Sequence, residues 1–99
     1  MKITYLDHSG FAVEYKKYVL IFDWYKGKLP EFDSEKEIYV FSSHSHYDHF
    51  DRKIFELENI YPNVRYVLSA DITEKPVPSK VWFVIADKEY RIGNLKVQT

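Results

Sequence analysis

Cysteine is absent from the 99 residues, which excludes disulfide bonds, thiolate metal ligands and a cysteine nucleophile. A surplus of either charge is also missing. Fourteen basic and 15 acidic residues leave a net charge of −1, so no nonspecific attraction to nucleic acid is expected. No run approaches the roughly 18 apolar residues of a membrane span. The amino terminus, Met1 to Asp7, reaches an acid before any apolar stretch of signal-peptide length, so a cytoplasmic protein without membrane association is the expectation. Histidine, too, is missing from the whole of the chain after His49.

What is present is concentrated. His44-Ser45-His46-Tyr47-Asp48-His49 packs three of four histidines and a carboxylate into six residues. Imidazole and carboxylate are donors for zinc, iron and manganese. The segment follows Ile38-Tyr39-Val40-Phe41-Ser42-Ser43, an apolar, β-prone run that reads as a buried strand. An extended backbone continuing past that strand would project His44 and His46 to one side, because side chains two apart share a face. Asp48 and His49 then lie where the chain turns toward a helix and aim at a second point. One pair of ligands for each of two metals is the natural reading, set against a solvated loop that happens to be rich in histidine.

The composition, 45% hydrophobic and 18% aromatic, argues against disorder and for one domain spanning residues 1–99. Strands are predicted at Ile3–Leu6, Phe11–Tyr15, Tyr18–Asp23, Ile38–Ser43 and Val64–Ser69. Lys16-Lys17 reads as a hairpin turn, and the uninterrupted apolar run Tyr18–Asp23 as a strand covered on both faces. Residues 26–30 read as a loop closed by Pro30, and Glu31 to Glu37 as acidic surface. Asp51 is placed to cap a helix whose apolar side is Ile54, Phe55 and Leu57, bounded by Asn59 and Pro62. Strand, helix and strand then make a βαβ-like unit. Pro76 and Pro78 mark an irregular loop, and Val81–Ile85, Glu89–Ile92 and Leu95–Val97 read as a meander. The expected class is α/β, rich in strands and with one clear helix.

His-x-His-x-Asp-His after a hydrophobic strand resembles the signature of the metallo-β-lactamase superfamily of metal-dependent hydrolases. Upstream, Asp7-His8-Ser9-Gly10-Phe11, Val13-Glu14 and Val19-Leu20-Ile21-Phe22-Asp23 are similar to that superfamily's opening strands, especially the branch with a His-Ser-Gly/Ser-Phe turn. The resemblance implies a four-layer αββα sandwich, of which this chain carries the amino-terminal half. It implies metal ligation by His44, His46, Asp48 and His49, with zinc, or manganese or iron, and up to two ions in the complete fold. Asp48 would also orient or deprotonate the attacking water, whose pKa a metal ion lowers to about 7. Asp23 matches the superfamily's first-motif aspartate, suited to holding a ligating imidazole through its other N–H. Its alternative is a strand-end aspartate capping a turn. His8 would lie at the rim of the site, against the alternative of an exposed turn histidine.

Other residues carry weaker signals. Tyr47 reads as packing beneath the motif, Trp24 and Tyr25 as core or mouth, and Asp71 as an edge residue without a motif behind it.

The implied function is a hydrolase that uses metal-activated water on an ester, lactone, amide or phosphodiester, with a small-molecule substrate; substrate class rests on analogy alone. An inactive fragment of such a hydrolase is the second reading, because four ligands over two ions give each two protein donors, fewer than the three usual for catalytic zinc. A nuclease-type member is the third, and the balanced charge weighs against nucleic acid as partner. The superfamily's later half supplies further ligands that residues 50–99 lack. Half a sandwich would also expose an apolar sheet face, which normally marks an interface. Completion is therefore expected either from a second copy, giving a homo-oligomer, or from a carboxy-terminal half in a longer protein.

Overall fold

A computed structural model describes residues 1–7, 10–24, 28–43, 52–72, 80–85, 88–92 and 95–98. Its centre is a six-stranded mixed sheet. The strands β1 (Lys2–Asp7), β2 (Gly10–Tyr15), β3 (Tyr18–Phe22), β4 (Glu37–Ser42), β5 (Val64–Ser69) and β6 (Val81–Val84) lie side by side in chain order. β1, β2 and β3 are antiparallel neighbours, whereas β3 to β6 all run parallel. The carboxyl ends of four consecutive strands therefore share one edge.

Each face of this sheet has its own cover. On one face Ala12, Val19, Ile21, Ile38, Val40 and Leu68 are buried beneath the helix Arg52–Asn59, which contributes Ile54, Phe55 and Leu57. On that face Tyr66 meets Phe55 edge-on, at 5.3 Å between ring centroids, and its hydroxyl donates to the Ile54 carbonyl at 2.9 Å. Burial, reinforced by the Glu58 carboxylate, pushes the Tyr66 hydroxyl well above the ordinary tyrosine range, so it serves as a permanent donor to the helix. The opposite face carries Tyr39, Val67 and Val84, covered by the hairpin β7 (Glu89–Ile92) and β8 (Leu95–Gln98) through Ile92, Leu95 and Val97.

Several expectations change on contact with this arrangement. The helix is a 3-10 helix over its eight residues; the i, i+3 spacing of Ile54 and Leu57 suits three residues per turn, so the same side chains are buried. Its expected cap, Asp51, lies outside the described residues. The three final strands are not a meander: β6 pairs in parallel with β5, from Tyr66↔Val81 to Ser69↔Val84, while β7 and β8 pair only with each other among the described residues. Period-2 patterning fixes which side chains share a face but not which strand is the neighbour, and the open edge of β5 takes β6 as its partner.

β3 is covered on both faces, as expected, but unequally. Val19 and Ile21 are fully buried against the helix side, and Tyr18, Leu20 and Phe22 are half-buried on the other. The acidic stretch is not all surface either. Phe32 enters the core, its amide donating to the Tyr61 hydroxyl at 3.2 Å. Glu37 opens β4 and pairs with Arg65 on β5 at 2.9 Å, beside the buried Tyr39 ring.

Candidate metal centre

The carboxyl-terminal edge of β3–β6 is where open α/β sheets place their ligands, because connecting loops leave the strands there and form a crevice. β4 delivers the histidine motif to that edge: the strand ends at Ser42, and Ser43 is the last described residue before it. His44, His46, Asp48 and His49 lie outside the described residues, as do His8, Tyr25 and Tyr47. Among the described residues no group of three or more histidine, aspartate, glutamate or cysteine side chains is placed to hold a metal ion.

Asp23 is described, and it is positioned by both its backbone and its side chain. It follows β3, and its amide donates to the Phe41 carbonyl at 2.8 Å, extending the β3–β4 ladder by one step. Its φ is 48°, in the left-handed region that aspartate and asparagine enter more readily than most residues. That turn brings the carboxylate across to β4. Oδ1 accepts from the Ser43 amide at 2.7 Å, and Oδ2 accepts from the Ser43 hydroxyl at 2.8 Å. Both carboxylate oxygens thus grip the residue immediately preceding His44. The imidazoles that this carboxylate is expected to reach lie outside the described residues; among the described residues it grips Ser43, the residue before His44.

Ser43 is not a residue that the sequence pattern singles out. Its place follows from the parallel register Phe22↔Phe41, which sets the residues after β3 beside Ser42 and Ser43. Nothing in a single sequence announces that β3 and β4 are neighbours. Ser42, one residue earlier, is buried, and its hydroxyl has no hydrogen-bond partner among the described residues.

Beside this edge a cavity of about 390 Å³ opens on the hairpin-covered side of the sheet. Its walls are Phe22, Phe41, Val67, Val84 and Val97, and Asp23, Ser43 and Ser69 stand at the strand ends. Trp24, the residue after Asp23, lies elsewhere: it packs against the helix-side core, with Lys53 Nζ 4.7 Å from its ring centroid. Asp71 is exposed in the turn after β5. No helix among the described residues is long and apolar enough to cross a membrane.

No family model matches the chain, and no solved structure matches it. A curated protein of Nanoarchaeum equitans (strain Kin4-M), a UPF0173 metal-dependent hydrolase, is 44% identical over 54 residues. That stretch is 54% of this chain and 22% of the length of the relative. Over just more than half its residues, then, this chain is similar to part of a metal-dependent hydrolase.

Proposed function

We propose that this chain forms the metal-binding part of a metal-dependent hydrolase with a metallo-β-lactamase-like fold. The observation that supports the reading is the grip of Asp23 on Ser43, the residue that precedes His44-x-His46-x-Asp48-His49, at the carboxyl ends of the parallel strands. The donor set fits a divalent transition metal: three imidazoles and a carboxylate, with no thiolate, suit zinc, manganese or iron. His44, His46, Asp48 and His49 would hold it, as one or two ions. A metal held there supplies Lewis acidity and an acidified water for hydrolysis of an ester, lactone, amide or phosphodiester. Asp48 is the residue assigned to orient that water and take its proton. The partial similarity to a metal-dependent hydrolase supports the same reading.

Turnover of model esters and phosphodiesters by these 99 residues, with zinc or manganese added, is expected to be weak, because two donors per ion fall below the usual three. The activity that is seen should vanish with a chelator and in Asp48→Ala. Hydrolysis that survives both unchanged would overturn the assignment.

Self-association belongs to the same proposal, with a second copy as the partner. β1 is an edge strand of the sheet, and Ile3 and Tyr5 are 65% and 69% exposed on it. Unpaired strand edges bearing apolar residues recruit further strands, and an antiparallel β1–β1 pairing between copies closes as a two-fold dimer. Light scattering at micromolar concentration should report an oligomer that Tyr5→Lys disperses. A well-folded monomer of the unsubstituted chain under those conditions contradicts this part of the account.

A further inference from the structure

We infer that the cavity beside Ser43 seats an apolar group of the substrate, an aryl ring or a short acyl chain, during hydrolysis; this rests on the hydrolase reading of the neighbouring motif. Strand alternation places its walls. Phe41 and Ser43 on β4 and its continuation, and Val67 and Ser69 on β5, lie on one face of the sheet because they are two residues apart. Register adds Phe22, opposite Phe41, and Val84, opposite Ser69. The hairpin closes the far side with Val97. The cavity is therefore apolar along its depth, and its polar lining residues, Asp23, Ser42, Ser43, Ser69 and Gln98, lie at the ends of the strands. At about 390 Å³ it falls within the range of small-molecule sites, roughly 300–1,000 Å³.

This polarity gradient selects a class of ligand. A charged or heavily hydroxylated body would lose its hydration against Phe22, Phe41, Val67 and Val97 without gaining hydrogen bonds. An aryl or acyl body loses only unfavourable contact with water. A polar scissile group attached to such a body would sit at the Ser43 and Ser69 end, beside the root of the motif. The inference deepens the proposed reaction by naming which part of the substrate is recognised and by which walls.

The test uses 1-naphthol, an aryl probe that cannot be hydrolysed. Fluorescence titration of the full chain should show saturable binding, at least tenfold weaker in Val97→Trp, which fills the cavity from the hairpin side. Ile60→Ser, at an exposed position outside the cavity lining, should bind as the unsubstituted chain does. Nuclear Overhauser contacts from the naphthol ring to the methyls of Val67, Val84 and Val97 in the unsubstituted protein carry the test even if Val97→Trp fails to fold. The His44→Ala/His46→Ala double variant should keep its naphthol binding, which separates the two readings. Loss of metal with retained naphthol leaves the cavity assignment standing. Contacts that map to the exposed Ile3 and Tyr5 side, equal affinity in a folded Val97→Trp, or no saturable binding would overturn it.

Discussion

Replacing Asp23 with alanine is expected to lower metal affinity by about 10- to 100-fold, the usual cost of removing a group that orients ligands from behind. Two effects contribute. The Ser43 amide and hydroxyl lose the carboxylate oxygens that accept from them at 2.7 and 2.8 Å, so Ser43, the residue before His44, is no longer held. Alanine is also poorly suited to a φ of 48°. Three variants separate these causes. Asp23→Gly tolerates the left-handed backbone but offers no acceptor; Asp23→Asn keeps the backbone preference and one oxygen. The expected order of metal affinity is the unsubstituted chain, then Asn, then Gly, with Ala weakest or equal to Gly. Thermal stability should fall by on the order of 1 kcal/mol for the lost hydrogen bonds, and more in Ala than in Gly. Competition against a chromophoric chelator measures the first quantity and thermal melting the second. Full metal affinity in Asp23→Ala would show that the grip on Ser43 has no bearing on the site.

The strands were legible because their residues alternate or run apolar over five or six positions between clear turns. The sequence pattern places Val64–Ser69 and Glu89–Ile92 at their observed ends and the other six strands to within one residue at each end. The buried side of the helix was equally plain from Ile54, Phe55 and Leu57. Pairing was not. Trp82 and Val84 show the same pattern whether β6 joins β5 or β7, and only the open edge of β5 decides between them. The function of Phe32 was hidden for a related reason: a single apolar residue among acids has no period, yet the core has room for it beside Tyr61. At the candidate site, the residue types of the motif spoke for metal without any structure. The part played by Ser43 did not, since it depends on a contact 20 residues away in sequence between two strands whose adjacency no local pattern records.

Metal binding by the motif's own side chains is the claim on which the rest of the proposal depends. The second large effect follows from it. Changing His44 and His46 together to alanine removes two of four candidate donors, both assigned to the same ion. A site stripped of both should lose that ion altogether, since no other side chain is assigned to it. Zinc content after equilibration and dialysis, measured by elemental analysis alongside a circular dichroism spectrum to establish folding, is the direct test. The account predicts at least substoichiometric zinc retained by the unsubstituted chain and a loss of bound metal in the folded double variant. Equal zinc in the two folded proteins would contradict it.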